Sequence, residues 1–415
     1  MRESLIDRER GSLKLMKKIN KSIILDTIRI YDSISRAEIS QKTNLSPTTV
    51  STLTEDLIKE EYIKEIGEGK SRGGRRPILL KFNSNAHFIM GVKLDAKRIT
   101  LALTNLKLSI INKARKTIKN TDENWVTRQI IDLVRRIARE SSVQLEKIIG
   151  IGVGTIGMVD TEKGIVEEAI NIGWENIPLR DLIKEELDNI PVYIDNVANL
   201  AALGEKQVGI AKKAKNLVYI HLGGGIGAGI ILNGEIYEGS NGSAGEIGHT
   251  TVEPNGPRCK CGNRGCLENF ASGRAIASRA ISGLLAGRKT LINEITEGSI
   301  DKVTAEVVAE AAKEGDEFAL EIWRETAEYL GIAIANLINV YNPEMIIIGG
   351  GVAQAGNFLF EPLKRVVEER ALPRATKIVK IVPSELQDDA SLIGAAALAM
   401  EKTSGEQAPA LQIIP

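Results

Sequence analysis

Residues 35–51 read SRAEISQKTNLSPTTVS, and the fold is decided by how these seventeen residues divide. Ser35 and Glu38 have capping-box spacing, so a helix opens at Ser35. Asn44 and Leu45 make a short turn. Ser46–Pro47 then opens a second helix, with Ser46 at the N-cap and Pro47 in the first helical position. That helix continues as SPTTVSTLTEDLIKEEYI, where Val50, Leu53, Leu57 and Ile58 form its buried stripe. Upstream, Ile19, Ile23, Ile24, Ile28 and Ile30 recur at helical spacing. Helix, short turn and helix with a polar first turn is the helix-turn-helix pattern.

Working outward, Tyr62–Ile66 and Pro77–Phe82 read as two strands around GEGKSRGGRR. Residues 64–81 carry six Lys or Arg and two acids. A basic hairpin after a helix-turn-helix reads as a wing. Glycine allows close approach to a sugar-phosphate backbone, and Arg72, Arg75 and Arg76 supply charge there. A charge run alone is more often a solvated face, but the conjunction here predicts DNA binding. Candidate DNA contacts are Ser35, Arg36, Ser46, Thr48, Thr49 and Ser51, with the three wing arginines. Some of the hydroxyls are expected only to cap.

Over the whole chain of 415 residues, 54 Lys and Arg balance 54 Asp and Glu. The balance is uneven along the chain. Residues 1–82 hold 17 Lys and Arg against 12 acids, and the remainder 37 against 42. A basic module on an acidic body predicts a polyanion partner at one end. No apolar run reaches membrane length, and the N-terminus lacks a signal-peptide core. The three cysteines fall within Cys259–Cys266, which favours a reducing cytoplasm over secretion.

From about residue 86 strands alternate with helices. Phe88–Leu94 and Ile99–Thr104 read as a hairpin, followed by strands near Leu108–Ala114, Ile148–Val153 and Pro191–Ile194. Helices are expected at Val126–Glu140, Leu179–Asp188 and Val197–Gly209. The pattern restarts with Asn216–Leu222 and Ala228–Leu232. Helices over 304–313 and 316–341 then lead to an apolar strand at Met345–Ile348. Two such units predict a duplicated α/β body. The expected domains are 1–82, a body over 83–401 with lobes near 83–200 and 201–401, and a disordered tail at 402–415.

His249, Cys259, Cys261 and Cys266 lie within eighteen residues, GHTTVEPNGPRCKCGNRGCLE spanning them. Three thiolates and an imidazole make a closed tetrahedral zinc site, structural rather than water-activating. Gly262 and Gly265 let the chain turn around it. The glycines of HLGGGIGAGI, His221–Ile230, lie between two strands, which disfavours a dinucleotide fold and leaves a tight turn or a phosphate-holding hairpin. Asp195–Asn196 after a strand can bind adjacent hydroxyls or cap a helix. Glu246 and Glu268 flank the metal loop.

With these residues assembled, the chain resembles the ROK family (repressors, open reading frames and kinases), and within it the xylose-repressor type. The resemblance runs from about Lys17 to Met400. It rests on SRAEISQKTNLSPTTVS, the GGRRP wing, GVGTIGMVD, NIGW, DNVAN, GGGIGAG, EIGH with CKCGNRGCLE, and NPEMIIIGGGV. It implies a winged helix-turn-helix followed by a two-lobed actin/hexokinase-like body. By resemblance Asp195, Asn196, Glu246, His249 and Glu268 hold a sugar, with one ring nitrogen of His249 on zinc and the other on a hydroxyl.

Kinases of the family open this body with an Asp-x-Gly-Gly-Thr turn that wraps ATP phosphates. Here Lys93 stands for the aspartate, and Asp95 and Ala96 for the glycines. The implied function is a cytoplasmic, nucleoid-associated, sugar-responsive repressor of carbohydrate genes, xylose being the family-level expectation. It is expected to act as a homodimer or tetramer on operator DNA, with no enzyme activity. The alternative is an ATP-dependent sugar kinase that keeps a DNA-binding domain.

Overall fold

A computed structural model describes residues 2–69, 76–187 and 190–406, with side chains over 15–403 of that range. The chain opens with α1 (Arg2–Tyr31), α2 (Arg36–Thr43) and α3 (Pro47–Lys59). Ser35 caps α2 through a reciprocal capping box with Glu38, and Asn44 ends that helix in the left-handed region at φ 57°. Ser46 caps α3 by accepting the Thr49 N–H. A small sheet runs β1 (Ile34–Ser35), β3 (Ile78–Phe82), β2 (Ile63–Glu68) in that spatial order. Helix pair and β2–β3 hairpin therefore form a winged helix-turn-helix.

The isoleucines of α1 divide between two faces. Ile24, Leu25 and Ile28 are fully buried, whereas Ile19, Ile23 and Ile30 are exposed. On α3, Thr54 is buried beside Val50, Leu53 and Leu57, while Ile58 is only half-buried. Arg36 donates from Nε to the Thr54 hydroxyl at 3.1 Å.

The body contains two sheets of one design. The first holds β4 (Phe88–Leu94), β5 (Arg98–Asn105), β6 (Ile110–Thr117), β7 (Ile148–Thr155) and β11 (Val192–Asn196), in the spatial order β11–β7–β4–β5–β6. Between β7 and β11 in sequence come β8 (Met158–Asp160), β9 (Ile165–Ala169) and β10 (Trp174–Ile177), which the periodicity did not reveal; β9 and β10 pair antiparallel. The second sheet holds β12 (Leu217–Leu222), β13 (Ile226–Leu232), β14 (Glu235–Ile236), β15 (Met345–Gly349) and β16 (Lys380–Pro383), in the order β14–β13–β12–β15–β16. In each sheet a three-stranded meander comes first, and the opening strand then takes a parallel neighbour: β4 with β7, β12 with β15. The duplication expected from the sequence is thus a repeated topology.

Helices α4 (Glu123–Glu140), α5 (Leu179–Lys184) and α6 (Val197–Gln207) follow strands of the first half. The expected helix to Asp188 stops at Lys184 and continues as turn. Contacts divide the chain into two compact units. One runs from the winged module through Ile156, with Thr161–Asp195 and the chain from Ala395; the other is Gly157–Asp160 with Asn196–Gly394. This differs from lobes meeting at 200 and ending at 401. The last helix, Ala390–Glu406, supplies residues to both units, and from Ala395 it packs on the first sheet. Gly150 and Gly152 make that possible: a Cβ on Gly152 would lie 1.8 Å from the Ala395 carbonyl oxygen.

The disordered tail expected from 402 is also corrected over its first residues. The helix runs to Glu406, and Thr403 is buried. Residues 407–415 lie outside the described range.

The winged module is tied to the first sheet within its own unit. Lys147 forms an ion pair with Glu61. The His87 Nε2 lies 3.2 Å from the Glu60 carbonyl oxygen, and its ring leans on Tyr62 at a centroid distance of 4.8 Å.

Candidate functional site

The first turn of α3 leaves Ser46 and Thr48 exposed, with Thr49 and Ser51 half-buried. Ser46 Oγ and Thr49 Oγ1 are 2.8 Å apart, so the N-cap hydroxyls support one another while still facing solvent. Ser35 is different. It is buried, and its hydroxyl engages the Glu38 carboxylate at 2.8 Å. Its expected DNA-facing side chain is therefore corrected to a cap. Arg36 is held by Thr54 and by Glu65 at 2.9 Å. Arg76 is exposed, 3.8 Å from Glu68. Arg72 and Arg75 lie outside the described residues.

In the second unit the predicted thiol cluster closes. Ligand atoms of His249, Cys259, Cys261 and Cys266 lie within 4.8 Å of one another. His249 Nδ1 is 3.7 Å from Cys259 Sγ, and Cys261 Sγ is 3.7 Å from Cys266 Sγ. Edges of roughly 3.8 Å follow from tetrahedral metal–sulfur bonds of about 2.3 Å, so the cluster can hold a metal ion. The loop is built for closeness. Gly265, at φ +67°, puts its Cα where a Cβ would meet the Glu253 carbonyl oxygen at 1.7 Å. Asn263 Nδ2 donates to the His249 carbonyl at 3.2 Å and to Thr251 Oγ1 at 3.1 Å, strapping the two ends together. Burial pushes the Cys266 thiol up to about 12, with the neighbouring thiols adding to the rise. A dication among these sulfurs would offset that cost of ionisation.

The other ring nitrogen of His249 turns toward Glu246, Nε2 to Oε2 being 4.0 Å. Burial raises the Glu246 carboxyl, His249 lowers it and Glu268 raises it further. Glu268 begins the short helix α7 (Glu268–Ala271), which is followed by α8 (Gly273–Leu285). It accepts the Ile226 N–H at 3.0 Å and an Arg274 N–H at 3.0 Å. Two acids thus sit beside the knot of three thiols and an imidazole. Neither Arg274 nor Asn263 is marked in the sequence, since a lone Arg in the first turn of a helix or a lone Asn in a loop carries no spacing signal.

Asp195 and Asn196 end β11. Asp195 is 2% exposed. Asn196 is the N-cap of α6, its Oδ1 accepting the Ala198 N–H at 2.7 Å and its Nδ2 donating to the Gly157 carbonyl at 2.8 Å. The capping role weighed from sequence is therefore realised in its side chain.

The turn after β4 closes on itself. Asp95 Oδ1 accepts the N–H groups of Lys97 at 2.9 Å and Arg98 at 2.8 Å. A separate cavity of about 1050 Å³ opens between the winged module and the first sheet, lined by Arg36, Glu61, Lys64 and Lys147 among others. Its lining mixes acids and bases and includes none of Asp195, Glu246 and Glu268.

A winged helix-turn-helix joined to a duplicated α/β body with an acid–histidine cluster on a thiol knot defines a DNA-binding regulator built on a sugar-kinase-like frame. A model of the ROK family matches residues 89–402, and one of winged helix-turn-helix DNA-binding domains matches 23–64. The chain belongs to the ROK family. A xylose repressor of Caldicellulosiruptor bescii is 39% identical over 389 residues, 94% of this chain and 97% of that protein. A glucokinase of Halalkalibacterium halodurans is 40% identical over 307 residues, 74% of this chain and 92% of its own. Among solved structures, a ROK family transcriptional regulator, a homologue of the Escherichia coli MLC protein, superposes with a TM-score of 0.79 at 29% identity, covering 92% of this chain and 95% of that one. No helix among the described residues is long and apolar enough to cross a membrane.

Proposed function

We propose that this protein is a sugar-responsive transcriptional repressor of carbohydrate-utilisation genes, with xylose the first sugar to test. The winged module carries the reading: the xylose repressor matches along 94% of this chain, whereas the glucokinase covers 74% of it. Ser46, Thr48, Thr49 and Ser51 on α3 face the major groove. Arg76, with Arg72 and Arg75, grips phosphate. The protein acts as a cytoplasmic homodimer on paired half-sites close to the nucleoid, since a single module reads only a few base pairs. Zinc fills the His249, Cys259, Cys261 and Cys266 knot as a structural ion and fixes the His249 ring. Asp195, Asn196, Glu246, His249 and Glu268 take sugar hydroxyls, carboxylates accepting and the amide doing both. Sugar favours one of two conformational states, and DNA the other.

The second reading, a kinase that also binds DNA, is favoured by the glucokinase relative. The closed turn at Asp95 speaks against it. Two backbone N–H groups that would meet a phosphate already hold a carboxylate, and that carboxylate repels phosphate oxygens. The two readings separate in one assay. Purified protein, MgATP and a panel of pentoses and hexoses are followed for ADP. Turnover of order 1 s⁻¹ or faster establishes the kinase. Its absence, together with sugar-dependent binding of DNA from beside the protein's own gene, establishes the repressor.

A further inference from the structure

Glu268 uses each carboxylate oxygen for a different partner. Oε2 accepts the backbone N–H of Ile226, the first residue after the glycine turn 223–225 and the start of β13. Oε1 accepts the Arg274 guanidinium at 3.0 Å. The fit is close, since a Cβ on Gly225 would meet Oε2 at 2.5 Å. A second tie runs parallel: the Gly273 N–H, at the head of α8, donates to the Gly223 carbonyl at 2.8 Å. The segment from Cys266 to Arg274 is therefore laced to the glycine hairpin at two points, with Glu268 two residues from the thiol knot.

We propose that Arg274 is the positioning residue for Glu268, and that Arg274, Glu268 and the Ile226 amide form a latch joining the metal loop to the glycine hairpin. The part concerning sugar rests on the sugar-site reading above. A carboxylate has about four lone-pair sites, and the latch occupies two. The remaining sites are aimed by the first two. A hydroxyl arriving on Glu268 therefore finds the acid already oriented, and its arrival is felt at Ile226. Exposed ion pairs usually contribute little. This pair differs because the Glu268 side chain is only 19% exposed and its other oxygen is fixed by a backbone donor. Arg274 reaches the carboxylate from the planar guanidinium through Nη2, a directed donor that the point charge of a lysine only partly replaces.

The test uses full-length, metal-loaded protein as wild type, Arg274→Met and Arg274→Lys. Amide exchange at Ile226 is read by mass spectrometry or NMR, and affinity for d-xylose, d-glucose and N-acetyl-d-glucosamine by calorimetry. Bound metal and circular dichroism report folding. Arg274→Met is expected to exchange at Ile226 about tenfold faster and to bind sugar about tenfold more weakly, with metal content unchanged. Arg274→Lys is expected to recover part of both. Wild-type exchange at Ile226 in Arg274→Met would overturn the latch. If wild-type protein binds none of the sugars, the sugar reading falls, and the exchange result alone judges Arg274.

Discussion

Ser35 and Ser46 look alike in sequence, each opening a helix, yet only Ser46 and its neighbours face outward. Ser35→Ala is therefore expected to cost about 1 kcal/mol of stability, read by denaturant unfolding, and to leave DNA affinity per folded molecule within about twofold. A large loss of affinity in fully folded protein would return Ser35 to the DNA interface. Asp26 gives a second test. Its Oδ1 is buried without a hydrogen-bond partner, and the Arg29 guanidinium lies 3.5 Å from that same oxygen. Burial raises its carboxyl to about 6, the Arg29 charge offsetting part of the rise. The folded state thus holds this proton more tightly than the unfolded chain, so stability is lost as pH rises from about 4 through 6. Asp26→Asn should raise Tm increasingly over that interval and by a constant amount above it. A difference that does not change with pH would contradict the assignment.

At the scale of elements, short-range chemistry was the most legible part of the chain. The capping box at Ser35–Glu38, the Ser46–Pro47 start and the clustering of His249 with three cysteines each need only a few adjacent residues, and each closes as read. Long-range packing was not legible. Nothing in the periodicity announces β8, β9 and β10, whose short runs lack an apolar alternation. The small residues of SLIGAAALAM gave no sign that the last helix lies against Gly150 and Gly152. Nor did α1 reveal which isoleucines point inward, since two faces of one helix carry them. The glycine–helix contact predicts that Gly152→Ala costs about 3 kcal/mol, because backbone and not a flexible side chain occupies the space. An unfolding midpoint equal to wild type would disprove that packing. For the wing, Arg76→Ala should weaken operator and non-specific DNA alike and make the salt dependence shallower by about one unit of slope. A loss confined to one operator base position would mean that the wing reads sequence.

For the whole molecule, the proposed function couples a sugar site to a DNA-binding module through a body in which Asp95 Oδ1 closes the turn after β4 on the N–H groups of Lys97 and Arg98. The thiol knot includes His249, which lies beside Glu246. Cys261→Ser should therefore lose bound zinc and, with it, the response of DNA affinity to sugar. A normal response in zinc-free protein would show that the metal plays no part in sugar sensing. Driving DNA occupancy from nearly full to nearly empty requires sugar to favour one state by about 5 kcal/mol. The most direct measurement is fluorescence anisotropy of a labelled fragment from beside the protein's own gene, titrated with protein in the presence and absence of d-xylose and the other sugars, with MgATP present and ADP monitored. One sugar is expected to shift the DNA Kd by tenfold or more while ADP stays at background. A DNA Kd indifferent to every sugar, with ADP accumulating at enzyme rates, would contradict the proposed function.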